Sequence, residues 1–147
     1  SRIEPLILAE KYLIENGDYN KTLTDYKFYC FHGKPMYIFV FTERELNSHN
    51  TKRMIYNTDW EPLPEFINDR LPIAEFIKRP HSLDKMLKIA ESLSEPFPFV
   101  RVDFYEIDNK PIFSELTFTP GHGTAKLSLL QKMGELVDIS NIKVKNV

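Results

Sequence analysis

Two carboxylates late in the chain, Asp103 and Glu115, have the side-chain type and spacing that chemistry needs. Each lies in a stretch of alternating residues. Val100, Val102 and Phe104 point one way in the first stretch, and Arg101, Asp103 and Tyr105 point the other. In the second stretch Ile112, Ser114, Leu116 and Phe118 share a face, and Phe113, Glu115, Thr117 and Thr119 share the opposite one. If the apolar sets meet a core, the polar sets share the open face, with Arg101, Thr117 and Thr119 near the carboxylates. Asp108-Asn109 supplies the turn between the stretches. A strict two-residue loop there would set Asp103 opposite Ser114 and send Glu115 to the wrong face. A three-residue loop, or a bulge, is therefore expected. Two carboxylates roughly 5 Å apart at Cβ repel each other. A hard divalent cation removes that repulsion, and Mg²⁺ favours a few carboxylates with phosphate oxygens. The alternative is that Arg101 alone neutralises one carboxylate as a surface pair.

The elements that must position this pair are legible from pattern. Residues 6–9 (Leu-Ile-Leu-Ala) form a short apolar run suited to a buried strand, and Asn16-Gly17-Asp18 break the pattern with turn residues. Residues 25–31 are aromatic-rich and read as a strand. His32-Gly33-Lys34 turns the chain, residues 36–42 return, and 52–56 make a further strand. Residues 43–51 read as a polar loop. Asn57 to Trp60 form a turn that carries the only Trp, expected as a packing residue. Four prolines between 61 and 80 argue against a long helix there. Residues 82–94 give the clearest helix: Leu83, Met86, Leu87, Ala90 and Leu93 recur at three and four residues, Ser82 is a candidate N-cap, and Pro96 and Pro98 follow the end. Strands at 99–107 and 112–119 and a last helix at 128–137 complete an α+β pattern, mainly an antiparallel sheet with flanking helices.

Composition narrows the classes. The chain of 147 residues suits one domain, residues 1–147, with 42% hydrophobic and 13% aromatic residues for a core. A single cysteine, Cys30, excludes an intramolecular disulfide and a Cys-cluster zinc site; it lies on the apolar side of its strand. A reducing cytoplasm is the simplest context for one thiol. The net charge of −2 shows no basic stripe, so no nucleic-acid partner is expected, and no run reaches the length of a transmembrane segment. His32, His49, His81 and His122 show no metal-ligand spacing; His122, between Gly121 and Gly123, is the one near the carboxylate pair.

Arg101-Val-Asp103 followed by Glu115-Leu-Thr117-Phe-Thr-Pro-Gly121 resembles the metal-binding hairpin of ATP-grasp enzymes. The narrower match is to the TupA-like ATP-grasp family, linked to teichuronopeptide and other surface-polysaccharide biosynthesis. It rests on Asp25-Tyr-Lys-Phe-Tyr-Cys-Phe-His-Gly-Lys34, Tyr56-Asn-Thr-Asp-Trp60 and Phe97-Pro-Phe-Val-Arg-Val-Asp-Phe-Tyr105 beside the hairpin. The resemblance implies ATP and Mg²⁺ as cofactors, with Asp103, Glu115 and Thr117 at the metal; Thr117 stands where relatives usually carry Asn. It implies that Glu10, Lys11, Tyr12 and Leu13 line the adenine pocket, and that Asp25 reaches ribose and Lys27 phosphate. Arg101 and Arg53 are implied as catalytic contacts to the transferring group. On the residues alone, Asp25 and Lys27 also suit a cross-strand ion pair, and Lys52-Arg53 a solvated basic pair. Family members are about twice this length, which implies that the chain is the C-terminal lobe of an ATP-grasp fold and lacks a partner N-terminal lobe.

The implied function is an ATP- and Mg-dependent carboxylate–amine ligase of cell-surface polysaccharide biosynthesis, working through an acyl-phosphate on a saccharide or amino-acid carboxylate. The alternatives are a metal-dependent glycosyltransferase of the same biosynthesis and a non-catalytic nucleotide-binding fragment.

Overall fold

The computed structural model describes residues 7, 9, 10, 12–14, 22–43, 51–121 and 123–140. Five strands form one antiparallel sheet: β1 (Asp25–Phe31), β2 (Lys34–Thr42), β3 (Lys52–Tyr56), β4 (Phe99–Ile107) and β5 (Lys110–Thr117), in the order β3-β2-β1-β4-β5. Helix α1 (Leu83–Ser94) precedes β4 and helix α2 (Leu127–Glu135) follows β5. This is the α+β arrangement that the pattern predicts. The proline-rich stretch holds one 3-10 turn, Pro64–Phe66, and no long helix. Ile7 is fully exposed and neither it nor Ala9 is in a strand, against the expected buried strand at those two positions; Leu6 and Leu8 lie outside the described residues. The expected turn at 16–18, most of the expected loop at 43–51, His49 and His122 also lie outside them.

Strand register sets two faces. Phe28 lies opposite both Ile38 and Val102, and Val102 opposite Leu116. Phe28, Ile38 and Val102 are fully buried, and Phe28 meets Phe104 edge-on at 5.3 Å. Helix α1 covers this side. It packs on β1, β2 and β4 and buries Leu83, Met86 and Ala90. Cys30 is buried there too.

The start of α1 differs from a simple cap. Ser82 is the N-cap, yet its hydroxyl does not bond its own helix. Its backbone N and its Oγ both donate to Glu106 Oε1 on β4, at 2.7 Å each. A carboxylate from the sheet thus meets the positive end of the helix dipole and pins the helix to β4.

At the β1–β2 turn, Gly33 has a φ of 78°, and a Cβ there would stand 3.2 Å from the Glu95 backbone. Only glycine meets both demands, a left-handed backbone and contact with the end of α1.

The β4–β5 hairpin resolves the register question. Its loop has two residues, with Asp108 and Asn109 both at positive φ, the conformation of a tight hairpin turn. The three-residue loop does not form, and the register is corrected by a bulge. Phe104 pairs with Phe113 but Val102 pairs with Leu116, so Asp103 faces two residues, Ser114 and Glu115. The extra residue reverses the alternation within β5. Phe113, expected on the polar face, instead meets Phe104 at 6.3 Å, while Ile112 pairs with Tyr105 on the other side. Beyond the bulge the expected faces hold: Leu116 turns to the core and Glu115 and Thr117 to the polar face.

Candidate functional site

The second face of the sheet carries the polar residues. Register places Asp25 and Lys27 on it from β1, Phe41 from β2, Arg53 from β3, Arg101 and Asp103 from β4 and Thr117 from β5. The decisive adjacency is β1 beside β4, which sets Lys27 directly opposite Asp103. The 25–34 hairpin and the carboxylate hairpin therefore build one site.

Asp103 is its hub. Arg101 grips it with two bonds, Nε to Oδ1 at 2.7 Å and a terminal guanidinium nitrogen to Oδ2 at 2.6 Å. Lys27 Nζ donates to the same Oδ2 at 2.6 Å and lies 2.8 Å from Asp25 Oδ2. The Arg101 nitrogen that holds Oδ2 also donates to Glu115 Oε1 and Thr117 Oγ1, each at 2.9 Å. Thr117 Oγ1 closes the ring by donating to Glu115 Oε1 at 3.2 Å. One guanidinium thus joins both carboxylates and the hydroxyl that the hairpin pattern singles out.

The face is less open than alternation suggests. Asp103 is 1% exposed and Arg101 9%, whereas the Glu115 side chain is 58% exposed. Asp103 sits in a central strand under Lys27 and Arg101, and Glu115 sits on the edge strand at the bulge. Burial by itself would lower the Arg101 pKa, but the bonds and charge of Asp103 outweigh it and hold the guanidinium above its ordinary value. Burial likewise raises the Tyr29 hydroxyl, against the lowering influence of Arg101 beside it.

Arg53 shares the face. It donates to the Thr51 carbonyl at 2.8 Å, and its Nε is buried with no partner among the described residues. Its guanidinium lies 5.8 Å from the Phe41 ring centre and Lys27 Nζ 5.9 Å from the same centre, so two cations approach one ring. Burial lowers the Arg53 pKa.

Glu10 and Tyr12 are exposed, Leu13 is half-buried, and no hydrogen bond or ion pair among the described residues ties them to the cluster. Lys11 lies outside the described residues.

Two residues beyond the sequence reading belong to the site. Tyr29 lies opposite Arg101, two positions along β1 from Lys27, and Phe41 lies beneath the two cations. Period-two alternation from Lys27 points to the first; nothing in the sequence marks the second. Beside Tyr29, a cavity of about 390 Å³ is lined mainly by apolar side chains, Phe31, Phe39, Phe99, Phe118 and Met133 among them, and by Thr119 just past β5.

The donor set suits a hard cation. Asp103, Glu115 and Thr117 offer oxygen alone, and one nitrogen already reaches an oxygen of each. Among the described residues no third His, Cys, Asp or Glu completes an all-protein metal cage. Two carboxylates with phosphate oxygens and water are the arrangement in which Mg²⁺ is usually held. The residues therefore fit Mg²⁺ delivered with a polyphosphate better than Mg²⁺ alone.

A family profile described as TupA-like ATPgrasp matches residues 1–136 of the sequence. The chain belongs to the TupA-like ATPgrasp family. That membership makes it an ATP-grasp-like protein and implies nucleotide binding. No curated protein and no solved structure matches the chain. No helix among the described residues of this TupA-like chain is long and apolar enough to cross a membrane.

Proposed function

We propose that this face is the metal- and phosphate-binding wall of an ATP- and Mg²⁺-dependent carboxylate–amine ligase acting in cell-surface polysaccharide biosynthesis. The observation that carries the reading is the bridge made by Arg101, which ties Asp103, Glu115 and Thr117 into one oxygen-rich cluster with Lys27 and Asp25 alongside. Family membership supports the nucleotide chemistry. The choice of carboxylate and amine, and the pathway, rest on the resemblance alone.

Asp103 and Glu115, with the Thr117 hydroxyl, would hold Mg²⁺. Bound there, the ion neutralises phosphate oxygens and the charge that develops during phosphoryl transfer. Arg101 borders the same region: its terminal nitrogen would cede the three oxygens to the ion, and its Nε bond to Asp103 Oδ1 would keep the guanidinium beside the charge that develops. Lys27 and Arg53 supply positive charge to the phosphates. A carboxylate oxygen of the acceptor attacks the γ-phosphorus, the bond to ADP breaks, and an acyl-phosphate forms. The amine nitrogen then attacks the acyl carbon, phosphate leaves, and loss of a proton from nitrogen gives the amide. The apolar cavity beside Tyr29 and Thr119 suits a reaction that must exclude water. The opposite wall of the nucleotide site is assigned to an N-terminal lobe, as the resemblance implies.

The test is transfer of ¹⁸O from a labelled acceptor carboxylate to released phosphate by the full-length protein. ATP-dependent transfer that is lost in Glu115→Gln supports the reading. Unchanged turnover in Glu115→Gln removes the metal role. Turnover of a nucleotide sugar without ATP replaces the ligase with a glycosyltransferase.

A further inference from the structure

We propose that the aromatic cavity next to the carboxylate cluster is the acceptor pocket, and that the acceptor is a carboxylic acid with an aromatic or branched apolar tail rather than a sugar acid. The inference rests on the ligase reading above and names the substrate class of that same site.

Strand register places the cavity. On the polar face, Asp103, Lys27 and Phe39 form one row across β4, β1 and β2, and Thr117, Arg101 and Tyr29 form the next across β5, β4 and β1. Phe99 and Phe31 make the third. Such rows lie two residues apart, about 7 Å. The face thus turns from charged to aromatic within one row. Phe39 lies against Tyr29 with ring centres 4.2 Å apart, Tyr29 meets Phe99 at 6.1 Å, and Phe99 meets Phe31 at 5.2 Å. These four rings line the sheet side of the cavity, and α2 lines it with Leu130, Met133 and Gly134.

Gly134 keeps the space open. It lies inside α2 without a positive φ, and a Cβ there would meet nothing within 4 Å. Neither the backbone nor close packing demands glycine, and glycine weakens a helix relative to alanine. What the missing side chain leaves is room in the cavity that it lines.

Chemistry chooses the occupant. A volume of about 390 Å³ is at the small end of ligand pockets. Among the described lining residues, Tyr29 and Thr119 alone carry a side-chain oxygen, and none carries a side-chain nitrogen or a charge. A sugar acid would bring several hydroxyls to these two partners, and a buried hydroxyl without a partner is costly. An apolar tail matches the rings. Its carboxylate, one row away, reaches the Arg101 row, where the ligase reading puts the γ-phosphate. The row on the other side of the cluster holds Asp25, Phe41 and Arg53, so phosphates bound there carry the nucleotide base away from the cavity.

The experiment is calorimetric titration of the full-length protein with 3-phenylpropionate, 4-methylpentanoate and glucuronate, with and without saturating Mg²⁺ and the non-hydrolysable analogue AMP-PNP. The two apolar acids are expected to bind about tenfold or more tightly than glucuronate, the scale of burying one or two methylene groups, and to keep binding when AMP-PNP is present. Gly134→Leu is expected to weaken both acids about tenfold or more and leave AMP-PNP affinity unchanged. Val137→Phe fills the same cavity should Gly134→Leu fail to fold. Gly134→Ala is expected to raise Tm by about 2–4 °C. A fall in Tm instead shows that the glycine serves packing, and overturns its role. Competition between the acids and AMP-PNP assigns the cavity to the base and overturns the proposal. Glucuronate binding as tightly as the apolar acids overturns the substrate class. Absence of acid binding while AMP-PNP binds, or acid binding unchanged in the filled variants, overturns the pocket and leaves the nucleotide site standing. Acid binding that is lost in the filled variants, with no AMP-PNP binding to wild type, keeps the pocket and removes the ligase reading.

Discussion

Arg101 and Asp103 lie two residues apart on one strand, point to the same side of the sheet and share two hydrogen bonds of 2.7 and 2.6 Å in a nearly water-free setting. The pair is part of the folded structure before it is part of any chemistry. Asp103 neutralises a guanidinium that would otherwise be buried alone, and that makes the two carboxylates of the cluster unequal in what their loss does.

Asp103→Ala should therefore destabilise the domain strongly, by about 3–5 kcal/mol, because it leaves Arg101 and Lys27 buried without their common partner. Glu115→Gln should change stability by less than about 1 kcal/mol, since Glu115 is largely exposed and an amide oxygen still accepts from Arg101. Urea unfolding of both variants checks this. Equal losses would show that the burial difference between the two sites has no energetic weight.

The Glu106 carboxylate on the start of α1 has a measurable role. Glu106→Gln keeps an acceptor but removes the charge facing the helix dipole; Glu106→Ala removes both. Losses of about 0.5 and about 1–2 kcal/mol are expected, in that order. Ser82→Ala should fall between them, because the backbone N of residue 82 still reaches Glu106. Thermal unfolding of the three variants tests the ranking.

Burial pushes the Cys30 thiol up to about 12 from an ordinary value of 9.0. The native state thus holds the thiol proton more tightly than the unfolded chain. The associated stability is fully present below pH 9 and is lost as pH rises toward 12, at about 1.4 kcal/mol per pH unit in that window. Tyr29 and Tyr56 are raised by burial as well and push in the same direction. Cys30→Ala should flatten, without abolishing, the fall in stability between pH 9 and 11, measured by urea midpoint at each pH. At pH 8 in the native state, Cys30 should remain unlabelled by iodoacetamide for as long as the fold persists.

Much of this architecture is legible in the sequence for reasons that are local. β1, β3 and β4 are set by aromatic and β-branched runs between turn residues, and α1 by an apolar stripe that ends before Pro96. Demanding that Asp103 and Glu115 share a face was enough to require a loop change or a bulge. It could not choose between them, and it misplaced Phe113, because the position of a bulge depends on which cross-strand contacts pack best. Burial of Asp103 was not legible for a different reason. It arises from β1 lying against β4, a pairing between distant segments that no local pattern encodes. The same adjacency brings Lys27 onto Asp103, the contact that turns two separately plausible motifs into one site.

The strand order also sets a timetable for assembly. The β1–β2 and β4–β5 hairpins are local and can close quickly, but the seam between β1 and β4 joins residues as far apart as Lys27 and Asp103, 76 positions along the chain. Closing so long a loop is entropically costly, and contacts of that kind slow the search for the native state. Until the seam closes, Arg101 can pair with Asp103 and Lys27 with Asp25, each along its own strand and in water. The polar cluster is therefore completed only when that seam closes, and a nascent chain released before β4 emerges would hold no more of it than the Asp25–Lys27 pair of β1.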